Sequence, residues 1–155
     1  MIGRPLVSRC SLGLTAFSQM ACEIPIAGEI MPNNCVRYRQ IAVARQHGCC
    51  FYCGMPVVLQ KNLEDFASAH GLSKARVEAL KCTAEHLQAR CDGGRDETSN
   101  IAAACITCNQ RRHRMNPAPT HDRYLQIVQR QMERGVWHKH ALLNAICLVN
   151  QQGAL

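Results

Sequence analysis

Residues 85–109 decide the fold of this chain, and they read EHLQARCDGGRDETSNIAAACITCN. The first residues continue a segment that can form a strand over 83–90, and a turn-rich loop follows around Gly93-Gly94. A second short apolar segment, 101–104, then leads into a helical pattern over about 106–115. The predicted order is therefore strand, loop, strand and helix.

Two Cys-x-x-Cys pairs flank this stretch. In a chain with 11 cysteines among 155 residues, about 0.8 such pairs are expected by chance, so the spacing alone decides little. The context decides more, because Gly54 directly follows the first pair and lets the backbone turn under a metal ion, as in a zinc knuckle. The sequence predicts a structural Zn²⁺ on four thiolates, those of Cys50, Cys53, Cys105 and Cys108. The alternative is that these thiols are buried as small hydrophobic groups.

The composition narrows the class of protein. An odd and large number of cysteines favours reduced thiols over a closed disulfide framework, so we expect a cytoplasmic location. The formal net charge of +7 favours a polyanionic partner such as nucleic acid, with a solvated basic surface as the alternative. No apolar run reaches the roughly 20 residues of a membrane helix. Residues 12–21 are mildly apolar, but their polar side chains and the nearby Arg9 make a poor signal peptide.

We expect three parts along the chain. Residues 1–32 show no sustained periodicity and predict a loosely structured arm. Residues 33–117 predict the central domain, and residues 118–155 a helical extension. Within the central domain, residues 57–59 are strand-like, and residues 62–82 predict an insertion of two short helices.

Further helices are predicted on both sides of this centre. An asparagine cap at residue 33 or 34 begins a helix over 35–47, and Thr120 begins another that ends near Arg134. A final apolar helix is predicted over 140–150. We interpret the preceding tract 137–140, which reads WHKH, as surface and packing residues and not as a metal site.

The order of motifs resembles the HNH endonuclease family. The resemblance is carried by Glu85-His86, Gly93-Gly94, Asn100-Ile101 and the Cys-x-x-Cys-Asn of residues 105–109, and it covers about residues 48–114. It implies an α+β fold with a ββα-metal core, a structural zinc knuckle and flanking helices. The family usually has Asp at the position of Glu85, and it lacks the long insertion found here.

The resemblance also implies the roles of the site residues. His86 is expected to be the general base, because imidazole exchanges a proton near neutral pH, and Asn100 is expected to tie the loop behind it. Glu85 and Asn109 are expected to hold a catalytic Mg²⁺ or Mn²⁺. His113 stands four residues after Asn109, so on a helix it projects from the same face and is expected to be a further ligand.

These expectations predict metal-dependent cleavage of DNA, with RNA as a second possible substrate. Three arginines on the predicted helix are expected to contact phosphates, although a solvated charged face is the alternative: Arg111, Arg112 and Arg114. A different class also fits, namely a zinc module that binds nucleic acid without cleaving it. A thiol oxidoreductase fits poorly, because no βαβ pattern surrounds either Cys-x-x-Cys.

Overall fold

The structure is a computed structural model, and it describes residues 34–139 and Leu142. Its helices and strands, in chain order, are α1 (Asn34–Arg45), α2 (Leu63–Ala69), α3 (Lys74–Glu78), β1 (Cys82–His86), β2 (Ile101–Cys105), α4 (Ile106–Arg114) and α5 (His121–Glu133). None of the described helices is long and apolar enough to cross a membrane. The predicted arm over 1–32 and, apart from Leu142, the predicted helix over 140–150 lie outside the described residues.

Strands β1 and β2 form an antiparallel pair at the centre of the domain. Their register places Cys82 opposite Cys105 and His86 opposite Ile101. Every residue of β2 is buried, and three of its residues are alanines, so both faces of the strand can be covered closely. Helix α4 begins directly after β2, which confirms the predicted ββα core and the α+β fold class.

Helix α1 covers the free edge of β2. Just beyond its end, Gln46 Nε2 donates to the carbonyl oxygen of Ala103 at 2.8 Å, and the Ala103 amide donates back to Gln46 Oε1 at 2.9 Å. The amide side chain thus pairs with the backbone as a neighbouring strand would, which protects the sheet edge. Arg45 adds bonds to the carbonyl oxygens of Thr98 and Ile101.

Two short helices, α2 and α3, form within the segment predicted as an insertion. Helices α2 and α3 are separated by Gly71, whose φ of +59° is in the left-handed region that glycine adopts without strain. Leu63, Val77 and Leu80 bury their side chains in the main hydrophobic core. The insertion therefore enlarges the core instead of forming a separate unit.

Two strand predictions need correction. The strand expected over 83–90 ends at His86, because the chain turns away into a 3-10 turn at Arg90–Asp92. Residues 57–59 do not form a strand, since Val58 makes a single parallel bridge to Lys81. A short apolar run shows burial but cannot by itself show whether a strand partner exists.

Candidate functional site

Four cysteines meet in the interior where β2 passes into α4. The thiols of Cys50, Cys53, Cys105 and Cys108 are all buried, and their sulfur atoms lie within 4.8 Å of one another. Cys53 Sγ and Cys105 Sγ are 3.9 Å apart, close to the sulfur separation of about 3.8 Å expected around a tetrahedral zinc ion. No disulfide joins the cysteines in the part of the chain that the structure describes. The structure thus brings together the predicted set, which can hold a metal ion.

Donors surround the sulfur atoms of this cysteine cluster. The backbone amide of Cys105 donates to Cys50 Sγ at 3.3 Å, and that of Cys108 donates to Cys105 Sγ at 3.4 Å. Although burial opposes ionisation, hydrogen bonds from the neighbouring thiols lower the pKa of Cys50. Hydrogen bonds within the cluster, first from Cys105, raise the pKa of Cys53. Backbone N–H groups therefore face sulfur atoms of the cluster, as suits thiolates that hold a cation.

The segment after α5 also reaches the cysteine cluster, which the sequence analysis missed. Trp137 Nε1 donates to Cys108 Sγ at 3.2 Å, and His138 Nε2 lies 3.3 Å from Cys53 Sγ. Both residues are buried, so for them the packing part of the interpretation holds and the surface part is wrong. Trp137 itself was a signal in the sequence, because a tryptophan is usually buried where its N–H finds an acceptor.

A second polar centre joins β1 to α4 around the buried carboxylate of Glu85. Its Oε1 accepts hydrogen bonds from the Tyr52 hydroxyl at 3.0 Å and from Arg112 Nη1. Its Oε2 lies 3.3 Å from His113 Nε2. One carboxylate oxygen is therefore neutralised inside the domain, while the other faces His113, whose side chain is 52% exposed.

Asn109 and His113 project from the same face of α4 toward β1. Asn109 Nδ2 donates to Thr83 Oγ1 at 2.9 Å and to the carbonyl oxygen of Ala84 at 3.3 Å, so Oδ1 is the atom it can offer to an ion. Two ligands at right angles around a magnesium ion, each at about 2.1 Å, are about 3 Å apart. The 3.3 Å between Glu85 Oε2 and His113 Nε2 fits that arrangement.

His86 occupies the last position of β1 and faces away from the buried side of Glu85, because neighbouring strand residues point to opposite faces. It lines an open cleft together with Ala84 and His113. His86 Nε2 lies 2.7 Å from Asp96 Oδ1. A His86 tautomer with its proton on Nε2 would donate to Asp96 Oδ1 and leave the Nδ1 lone pair free, whereas Arg90 Nε, 3.3 Å from the same Nε2, would donate to the opposite tautomer. Nothing in the local spacing pointed to Asp96.

Comparison with known families agrees with this geometry. Residues 50–115 match the family model of the HNH endonucleases. This segment is an HNH domain. It contains both Cys-x-x-Cys pairs, the helical insertion, β1, β2 and α4. No curated protein and no solved structure matches the chain significantly.

Asn100 fixes the loop of the HNH domain between β1 and β2. Its Oδ1 accepts from the Gln88 amide at 2.8 Å, and its Nδ2 donates to the carbonyl oxygens of Gln88 at 3.1 Å and Arg95 at 2.9 Å. Gly94 is required in the same loop, because a Cβ there would lie 1.9 Å from the carbonyl oxygen of Gln88. The loop behind His86 is therefore held by side-chain to backbone bonds, and a catalytic effect of Asn100 stays a prediction.

The three arginines expected at phosphates differ in their surroundings. Arg112 is buried, and besides Glu85 it donates to the carbonyl oxygens of His86, Leu87 and Pro119. Its guanidinium is therefore not available to a DNA phosphate, contrary to the sequence-based prediction. Arg111 stacks 4.4 Å above the Trp137 ring and donates to its carbonyl oxygen. Arg114 is exposed at the end of α4.

Proposed function

We propose that the protein is a metal-dependent endonuclease that hydrolyses phosphodiester bonds of DNA, with His86 as the general base. RNA is the second possible substrate. The observation that carries this proposal is the shared cleft of the HNH domain, which is lined by both His86 and His113. A base and a candidate metal ligand thus face the same open space, where a phosphodiester has access.

His86 Nδ1 takes the proton of the attacking water in this proposal. Asp96 supports that role, because its 2.7 Å contact with Nε2 is shorter than the 3.3 Å contact from Arg90 Nε and favours the tautomer whose Nδ1 is unprotonated. Positioned general bases typically accelerate a reaction by two to four powers of ten. No side chain has to act as a nucleophile.

Glu85, Asn109 and His113 would hold the catalytic Mg²⁺ or Mn²⁺. When bound, such an ion stabilises the charge that develops on the phosphate oxygens and on the leaving oxygen. Tyr52 and Arg112 orient the Glu85 carboxylate from inside the domain, so that Oε2 remains directed toward His113. These two residues therefore position a ligand without touching the substrate.

The four cysteines would hold a structural Zn²⁺. Their burial, the sulfur spacing, the donors from the backbone and Trp137, and the contact of His138 with Cys53 support this assignment. Arg114 and the exposed part of Arg111 are the proposed phosphate contacts on α4. The thiols also favour a reducing compartment, so we propose a cytoplasmic location.

Plasmid cleavage with and without Mg²⁺ or Mn²⁺ tests the proposed function. His86→Ala is expected to lower the cleavage rate by roughly two to four powers of ten while DNA binding in a gel-shift assay persists. His121→Ala, which alters a histidine outside the cleft, should cleave as the wild type does. Wild-type protein that binds DNA but cleaves it with neither ion would favour the non-catalytic zinc module instead.

A further inference from the structure

Three metal-ligating side chains meet outside the cysteine cluster. Cys35 comes from α1, His86 from the end of β1, and Asp96 from the loop before β2. Their ligand atoms all lie within 4.8 Å of one another. Asp96 contacts both partners, since its Oδ2 accepts from Cys35 Sγ at 3.3 Å and its Oδ1 lies 2.7 Å from His86 Nε2.

The guanidinium of Arg90 already occupies the point where these three groups converge. Arg90 Nη2 lies 3.1 Å from Cys35 Sγ and 2.8 Å from Asp96 Oδ2, and Arg90 Nε lies 3.3 Å from His86 Nε2. The three side chains therefore surround a positively charged group. The side chain of Arg90 is 61% exposed, so it can turn into solvent without opening the core.

We propose that Cys35, His86 and Asp96 form a second metal site, which binds a thiophilic divalent cation such as Zn²⁺ in place of the Arg90 guanidinium and thereby inhibits the nuclease. A thiolate, an imidazole and a carboxylate are the three ligand types that zinc accepts, and water completes a tetrahedral set. Mg²⁺ takes oxygen ligands and avoids thiolates, so this site distinguishes zinc from the ion proposed at Glu85.

Inhibition follows from the proton balance on His86, and this part rests on the proposed function. Zn²⁺ needs the Nε2 lone pair, so the single ring proton of the neutral imidazole moves through water from Nε2 to Nδ1. The Cys35 thiol releases its proton to water as it becomes a thiolate. His86 then has no lone pair free for the attacking water, and it cannot act as the base.

Metal binding tests the site independently of cleavage. Full-length protein that retains its structural zinc is dialysed against Zn²⁺, and bound metal is measured by elemental analysis. We expect one additional zinc per chain in the wild type. Cys35→Ser should bind this zinc at least about tenfold more weakly, while Cys91→Ser is the matched control, because Cys91 lines the same cleft outside the cluster.

Two further measurements identify the ligands. Co²⁺ in place of the additional zinc should give a thiolate charge-transfer band in the wild type and in Cys91→Ser, but not in Cys35→Ser. Arg90→Ala should bind the additional zinc more tightly than the wild type, because no guanidinium has to be displaced. Equal zinc affinity and equal cobalt spectra for the wild type and Cys35→Ser would overturn the site.

Cleavage assays test the inhibition. Zn²⁺ at concentrations that fill the second site should suppress Mg²⁺-dependent cleavage by the wild type and by Cys91→Ser, whereas Cys35→Ser should keep cleaving. Equal suppression of Cys35→Ser would assign the inhibition to another site and overturn that part of the proposal. If the wild type cleaves under no condition, the proposed function fails, but the binding experiment still decides whether the site exists.

Discussion

Glu85 Oε2 lies 3.3 Å from His113 Nε2, across the space between β1 and α4. The other oxygen of the same carboxylate accepts from Arg112 and Tyr52 in the interior. Glu85 is therefore fully buried, with one oxygen satisfied in the interior and the other directed at His113, which lines the cleft. This division lets one residue serve both the stability of the domain and the metal site proposed at its surface.

The buried ion pair between Arg112 and Glu85 predicts a large effect on the free energy of unfolding. Arg112→Met should lower the free energy of unfolding by about 3–5 kcal/mol, because it leaves the Glu85 carboxylate buried without its cation. Urea unfolding followed by circular dichroism measures the change. The double variant Glu85→Gln with Arg112→Met should be less destabilised than Arg112→Met alone, since no uncompensated charge remains. Equal stability of Arg112→Met and the wild type would show that the ion pair is not needed.

The contact between Glu85 Oε2 and His113 predicts that His113 affects the concentration of metal ion needed for cleavage. His113→Ala should need at least about tenfold more Mg²⁺ or Mn²⁺ for half-maximal cleavage, a loss of about 1.4 kcal/mol, because one ligand is removed. Metal titrations of initial cleavage rates measure this change. Gln110→Ala, which alters an exposed residue three positions earlier on α4, is the matched control, and its metal requirement should not shift. An unchanged requirement in His113→Ala would leave Glu85 and Asn109 as the proposed protein ligands.

Chelation is expected to separate the two kinds of metal site. Thiolates hold zinc tightly, whereas carboxylate, amide and imidazole groups exchange Mg²⁺ or Mn²⁺ readily. Mild EDTA treatment should therefore stop cleavage at a concentration that leaves the circular dichroism spectrum unchanged, and added Mg²⁺ should restore cleavage. Cys108→Ser should instead lose zinc and unfold, because a structural zinc contributes folding free energy directly. Loss of structure and of cleavage at one EDTA concentration would contradict two separable metals.

The core of the fold could be predicted from the sequence because its motifs are local. The Glu85-His86 dipeptide, the Gly-Gly loop and the second Cys-x-x-Cys lie within residues 85–109, so the order strand, loop, strand and helix could be predicted there, although β1 ends at His86 and not at residue 90. Cys105 has two roles, because it is a member of the cysteine cluster and also the N-cap of α4.

The direction of side chains was harder to predict. Arg112 and Arg114 lie in the same basic segment, but Arg112 points inward because it forms an ion pair with the buried Glu85 carboxylate on β1. That partner is 27 residues away in sequence, so the periodicity of the helix alone could not reveal it. Asp96 and Trp137 were missed for the same reason, since each acts through a tertiary contact. A motif gives positions along the chain, whereas burial depends on what packs against them.

The contact of Trp137 with Cys108 predicts that the segment after α5 contributes to zinc retention. Trp137→Phe removes the N–H donor 3.2 Å from Cys108 Sγ but keeps an aromatic ring beside Tyr124 and under Arg111. Because groups that hydrogen-bond to metal ligands commonly change affinity by 10–100-fold, we expect zinc affinity to fall by about that factor. Competition with a chromogenic chelator measures the affinity. Val136→Ala, an exposed neighbour, is the control and should retain zinc as the wild type does. Equal zinc affinity for Trp137→Phe and the wild type would reduce the role of Trp137 to packing.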